Sequence, residues 1–130
     1  MPKVPVISIV DDDESVREAT KGLVRSLGYV AATFASSEEF LNSERVNDTS
    51  CLISDVQMPG LNGLELQSRL RAMGRRIPVI FVTAFPQEQA RARALQAGAF
   101  GFLSKPFSDD SLIHCLDRAL ADSDPNDIEP

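Results

Sequence analysis

Apolar residues in this chain gather into five short runs, and between them the polar spacing turns helical. The runs are Val6-Ile7-Ser8-Ile9-Val10, Tyr29-Val30-Ala31-Ala32-Thr33-Phe34, Cys51-Leu52-Ile53-Ser54, Val79-Ile80-Phe81-Val82 and Phe100-Gly101-Phe102-Leu103. Near-continuous apolarity over so few residues predicts strands covered on both faces. They are expected over about 5–10, 29–34, up to Asp55, 78–82 and 100–104. Helix one, about 14–27, places Val16, Thr20, Leu23, Val24 and Leu27 at helical spacing and stops at Gly28. Ser36-Ser37-Glu38-Glu39 reads as a capping box opening a short helix that buries Phe40 and Leu41. Met58 to Gly63 form a loop, and helix three then turns Leu66, Leu70 and Met73 inward before Gly74. Helix four is expected over about 87–97 and helix five over about 109–121. Strict βα alternation predicts an α/β fold, a doubly wound five-stranded parallel sheet with right-handed crossovers.

The strand ends carry the chemistry. Asp11-Asp12-Asp13 follow the first run, Asp55 the third, Thr83 the fourth and Ser104-Lys105-Pro106 the fifth. In an open parallel sheet these ends share one crevice. Crowded carboxylates repel by about 4 kcal/mol per pair at 4 Å when the effective dielectric is near 20. Keeping Asp11, Asp12 and Asp55 together suits a hard divalent cation. Mg²⁺ takes oxygen ligands and is held by one or two carboxylates beside a phosphoryl group. Asp55 is placed as nucleophile because it leads into a loop whose Pro59 and Gly60 leave it accessible, and carboxylates accept phosphoryl groups. Lys105, one of three lysines, would pair with phosphoryl oxygens as a point charge. Each residue also has a plainer reading. The Asp pair could cap helix one, Thr83 could be an ordinary strand residue, and Phe102 an ordinary core aromatic.

Composition narrows the class without deciding it. At 130 residues the chain is one domain, and 43% hydrophobic with 25% charged residues is usual for a globular protein. No apolar stretch approaches the roughly 18 residues that cross a bilayer, and the start lacks a secretory h-region, so a cytoplasmic location with no membrane contact is expected. The net charge of −6 is concentrated in residues 122–130, which hold four acids; the remainder has 13 basic and 15 acidic residues. That composition predicts a solvated, disordered tail after a folded unit spanning 1–121. The mild acidity argues against direct nucleic-acid binding. Arg69, Arg71, Arg75 and Arg76 read as a solvated helix face. Cys51 and Cys115 read as buried small hydrophobes, and His114 as a helix-surface residue.

Ile9-Val10-Asp11-Asp12-Asp13-Glu14, Asp55-Val56-Gln57-Met58-Pro59-Gly60, Val82-Thr83-Ala84, Ala97-Gly98-Ala99 and Leu103-Ser104-Lys105-Pro106-Phe107 occur in order, each at a strand end or turn. Together they resemble the receiver domain of bacterial two-component response regulators, a CheY-like, flavodoxin-like fold, over about residues 4–121. Gly63-Leu64-Glu65-Leu66-Gln67 and Lys105-Pro106-Phe107 look most like FixJ-type receivers. The resemblance implies that Asp55 accepts a phosphoryl group from a phosphohistidine of a sensor histidine kinase. It implies Mg²⁺ held by Asp11, Asp12, Asp55 and the backbone carbonyl of Gln57, with Lys105 and Thr83 contacting the phosphoryl group. Thr83 and Phe102 would form the switch, and a phosphorylation-dependent homodimer is a possible output. FixJ-type receivers often carry a DNA-binding segment after helix five, where this sequence stops, so either a stand-alone receiver or a piece of a longer protein is expected. Phe85-Pro86 and Gly101 depart from the family pattern.

Two other classes compete. A phosphatase with an Asp nucleophile places a second Asp two residues on, where this chain has Gln57, so steady turnover is not expected. A flavodoxin-like binding module would want a glycine-rich loop after the first strand, and acids stand there instead.

Overall fold

The computed structural model describes residues 4–122. Its elements alternate as expected: β1 (Val6–Val10), α1 (Glu14–Ser26), β2 (Val30–Phe34), α2 (Ser37–Leu41), β3 (Cys51–Asp55), α3 (Gly63–Ala72), β4 (Val79–Thr83), α4 (Glu88–Gln96), β5 (Gly101–Ser104) and α5 (Asp109–Asp122). A 3-10 turn at Glu44–Asn47, absent from the sequence reading, joins α2 to β3. The five strands form one parallel sheet in the order β2-β1-β3-β4-β5. The order reverses between β1 and β3, which is where such sheets open a crevice.

Period-two alternation divides the core. Ile7, Ile9, Cys51, Ile53, Ile80 and Val82 face Val24 of α1 and Leu112, Cys115, Leu116 and Ala119 of α5. Leu52, Val79 and Phe81 face the opposite way, against Phe40 of α2, Leu66 and Leu70 of α3 and Ala94 of α4. Both faces of the sheet are therefore covered, and β3 is buried along its whole length. Burial pushes the Cys51 thiol up to about 12, in keeping with a residue that packs and does not react. His114 is exposed, as expected.

Local details differ from the sequence reading. Met73 is not on the buried face of α3; it is the C-cap and is 49% exposed, because the helix ends one residue earlier. Ser36 caps α2 through Glu39 N, but Glu39 Oε1 accepts from Ala35 N, one residue before the usual capping-box partner. The expected tail, 122–130, lies outside the described residues apart from Asp122, which closes α5. Among the described residues no helix is long and apolar enough to cross a membrane.

Candidate functional site

Sheet register brings the strand ends together. Val10 pairs with Ser54, so Asp11 follows β1 beside Asp55 at the end of β3. Asp55 pairs with Val82 and Thr83 pairs with Ser104, which places Lys105 one residue past β5. Lys105 N donates to Thr83 O at 2.8 Å, and Asp11 N to Phe34 O at 3.1 Å, pinning both exits. Neighbouring strands are about 4.8 Å apart, so from β5 only a long side chain reaches past β4 to β3. The Lys105 ammonium does so, standing 2.9 Å from Asp55 Oδ2 and 3.0 Å from Asp11 Oδ2. The Lys105–Pro106 bond is cis.

The three acids after β1 divide their work. Asp13 is the N-cap of α1, accepting from Ser15 N and Val16 N at 2.9 and 3.2 Å. Asp11 and Asp12 are thereby left for the crevice, where single oxygens of Asp11, Asp12 and Asp55 lie within 4.8 Å of one another. Asp11 is 1% exposed, and its Oδ1 accepts from Asp13 N. Its Oδ2 is close to Lys105 but off the hydrogen-bonding direction, so a buried acceptor remains without a donor. Burial raises the Asp11 carboxyl above its ordinary value despite the Asp13 N–H and the Lys105 ammonium. For Lys105, burial acts to lower the value, but the hydrogen bond to Asp55 and the negative charge of Asp11 beside it outweigh burial, and the ammonium is held above its ordinary range.

Asp55 is less accessible than Pro59 and Gly60 suggested, at 6% exposed. Lys105 takes one oxygen, and Gln57 N donates to the other at 3.1 Å. The carboxylate instead meets solvent through a cleft lined by Asp12, Asp13, Gln57, Thr83, Ala84, Phe85 and Lys105. Thr83 is 1% exposed; its Oγ1 accepts from Phe85 N at 3.1 Å. Phe85 is 68% exposed at the rim. Phe102 does not line the cleft. It lies partly buried one strand over, its ring centroid 6.3 Å from that of Phe81, which is two residues before Thr83 on the same face of β4.

Three supporting interactions escaped the sequence reading. Arg17 Nη1 donates to the Asp11 carbonyl at 2.7 Å and steadies the turn presenting Asp12. Glu38 Oε2 accepts from Leu61 N at 3.0 Å, strapping α2 to the loop after Asp55; that N–H holds its carboxyl below the usual range. Asn62 and Glu65 form a reciprocal capping box at the start of α3. Only the last had a legible signal, Asn followed three residues on by Glu.

The donor set suits a hard cation. Three carboxylate oxygens converge, one acceptor is buried without a donor, and neither thiol nor imidazole is near. With the ammonium opposite, the arrangement can hold an oxyanion between a metal and a lysine while presenting one carboxylate to its central atom.

Comparison with known proteins agrees with this geometry. Residues 7–117 match the response regulator receiver domain. TodT of Pseudomonas putida, a response regulator protein, is 39% identical over 118 residues, covering 91% of this chain and 52% of that protein. The transcriptional regulatory protein FixJ of Azorhizobium caulinodans is 35% identical over 95% of this chain and 58% of its own. Among solved structures, response regulator StyR superposes with a TM-score of 0.86 at 39% identity, covering 93% of this chain and 61% of that one. FixJ-N superposes with a TM-score of 0.81 at 31% identity, over 93% and 96%. The chain spans about half the length of the curated relatives it matches. A doubly wound parallel sheet with acids and a lysine at its strand ends, matched over its length by such relatives, belongs to the receiver domains of two-component response regulators.

Proposed function

We propose that Asp55 is the phosphoacceptor, receiving a phosphoryl group from a phosphohistidine on a sensor histidine kinase. The observation that carries this reading is the Lys105 ammonium, 2.9 Å from Asp55 at the floor of a cleft rimmed by further acids. One Asp55 oxygen attacks phosphorus as the P–N bond breaks, and the imidazole leaves carrying the electron pair and takes up a proton. Lys105 stays charged throughout and follows the phosphoryl oxygens as a point charge. Asp11, Asp12, Asp55 and the Gln57 carbonyl would hold Mg²⁺, which supplies charge neutralisation on the transferring group.

Gln57, at the position where a second Asp would act as general acid, cannot protonate a leaving group. The role is therefore regulatory instead of one of continuous turnover. Thr83 moves its hydroxyl from Phe85 N toward the phosphoryl group, and Phe102, beside Phe81, is the aromatic positioned to follow. The α4, β5 and α5 surface then changes, offering a site for a partner or a second copy of the chain. A cytoplasmic setting is proposed with it, as is a transcriptional output reached through a partner or further segment, in line with the names of FixJ and TodT as regulators. This chain itself is proposed to make no contact with nucleic acid.

Incubation with acetyl phosphate and Mg²⁺ tests the reading by intact mass. One phosphoryl group per chain is expected, absent from Asp55→Asn. An unchanged shift in Asp55→Asn would overturn the assignment, continuous phosphate release would favour a phosphatase, and no labelling would favour a binding module.

A further inference from the structure

The arginines that close α3 take no part in the phosphoryl site, and the fold gives them a shape. At the end of the sheet opposite Asp55, a groove of about 610 Å³ runs between the C-terminal ends of α3 and α4. That volume lies in the range of small-molecule sites. Its apolar wall comes from buried Leu70 and Val79 and from Ile77 and Phe100, which are only partly buried. Arg71, Arg75 and Arg76 line the same groove, and no acidic residue does.

Two observations set the groove apart from a solvated helix face. The first is Gln67, which lines it and is 6% exposed, yet has no hydrogen-bond partner among the described residues. Buried amides are ordinarily paired, so this one offers a donor and an acceptor to a molecule in the groove. The second is charge. Arg75 is tethered to Asn47, whereas Arg71 and Arg76 are exposed and form no ion pair among the described residues. Helix C-termini favour cations, which is the plainer reading of arginines here. Both ends, however, are closed on themselves. The Leu70 and Arg71 carbonyls accept from Arg75 N and Gly74 N, and those of Ala94 and Leu95 from Ala99 N and Gly98 N. Even with about −0.5 charge assigned to each helix end, three guanidinium groups leave the groove at about +2.

We propose that this groove binds a small phosphomonoester whose body is a planar ring with a hydrogen-bonding edge, the chemistry of a nucleoside monophosphate. Charge selects the phosphate. A monoester carries close to −2 at neutral pH, matching the groove, whereas a single carboxylate would leave half the positive charge unanswered. Arg71 and Arg76 take the phosphate oxygens in forked pairs. The ring lies against Ile77 and Phe100. The Gln67 amide pairs with the ring edge, donating and accepting at once as glutamine does with adenine. The groove and the acid cluster stand at opposite ends of the sheet, so the inference does not rest on the phosphoryl reading.

Amide NMR titration of the whole chain with adenosine monophosphate tests it, in EDTA so that no Mg²⁺ draws phosphate to Asp55. Saturable shifts are expected at 70–77 and 97–100 and in the Gln67 side-chain amide. Adenosine and inorganic phosphate each carry half of the recognised chemistry and should bind at least about tenfold more weakly. Arg71→Gln and Arg76→Gln, at exposed positions, should each weaken the nucleotide about tenfold with the sheet resonances unchanged. Gln67→Met should weaken the nucleotide several-fold and leave inorganic phosphate unaffected, a split that a merely structural glutamine would not produce. Inorganic phosphate binding as well as the nucleotide would reduce the groove to an adventitious ion site and overturn the proposal. Benzoate binding as well would overturn the charge assignment, and no groove shifts up to about 10 mM nucleotide would remove the site.

Discussion

Cys115 Sγ occupies the space where a side chain on Gly101 would begin: a Cβ there would lie 2.6 Å from the sulfur. The thiol of α5 thus fills the gap that Gly101 leaves in β5, and the helix approaches the strand to a distance that glycine permits. Gly101→Ala should lower the unfolding free energy by about 1–3 kcal/mol, the range for overpacking a core. Cys115→Ala should remove most of that loss. Urea unfolding of both single variants and the double variant measures the coupling; a double variant as weak as Gly101→Ala would acquit the thiol.

Gly63 makes the same kind of contact where it matters for chemistry. A Cβ there would collide with the Asp55 carbonyl oxygen and stand 3.0 Å from the Phe81 ring. Gly63→Ala should push α3 away from the end of β3, costing about 1–3 kcal/mol and slowing acetyl-phosphate labelling of Asp55. Gly22, in α1 with nothing within 4 Å of its own Cβ position, is the control. Gly22→Ala should stabilise by about 0.5–1 kcal/mol and leave labelling unchanged.

Asp11 sets a pH dependence whose sign follows from its raised carboxyl. An acid raised in the folded state adds stability that is complete below its unfolded value and lost as pH rises through the folded value. Without divalent cation at neutral pH, Asp11→Asn should therefore melt a few degrees above wild type. The gap should close as pH falls toward 3.8, the ordinary value. Saturating Mg²⁺ should reverse the order, since wild type gains about 2.7 kcal/mol at a hundredfold excess over Kd. Calorimetry in EDTA and in Mg²⁺ checks both halves, and a wild-type melting temperature indifferent to Mg²⁺ would remove the metal site. Asp12→Ala should weaken the Mg²⁺ gain more than any single change outside the crevice.

Thr83→Ala should leave labelling of Asp55 largely intact while uncoupling it from the far surface. Hydrogen exchange over 84–107, with and without a beryllofluoride phosphoryl mimic, reads this directly. The wild type should change its protection there and the variant should not; equal responses would show that Thr83 transmits nothing.

The sheet and the crevice were legible because this fold writes them in one dimension. An apolar run that stops at Asp55 or Lys105 marks both a buried strand and the place where it meets solvent. Packing between elements is what the sequence concealed. The sharing of Asp11, Asp12 and Asp13 between pocket and cap depends on where α1 starts. Gly63 looks like loop until β3 is placed beneath it, and Met73 keeps the helical period yet falls one residue beyond the last turn. Glu38 reaches Leu61 across 23 positions, over a left-handed Gly60 whose missing Cβ leaves its carboxylate room. No local pattern encodes such a contact.

Thr83 is held at both ends by different loops: its main-chain carbonyl accepts from Lys105 N, and its side chain accepts from Phe85 N. A movement of this side chain therefore acts on the segment before α4, while the main chain holds the segment before α5. Truncating the side chain cuts the first link and spares the second. Residue 83 is thus a junction: under the proposed switch its hydroxyl is what moves, and truncating it leaves the Lys105 anchorage in place as a fixed point and not as a second route.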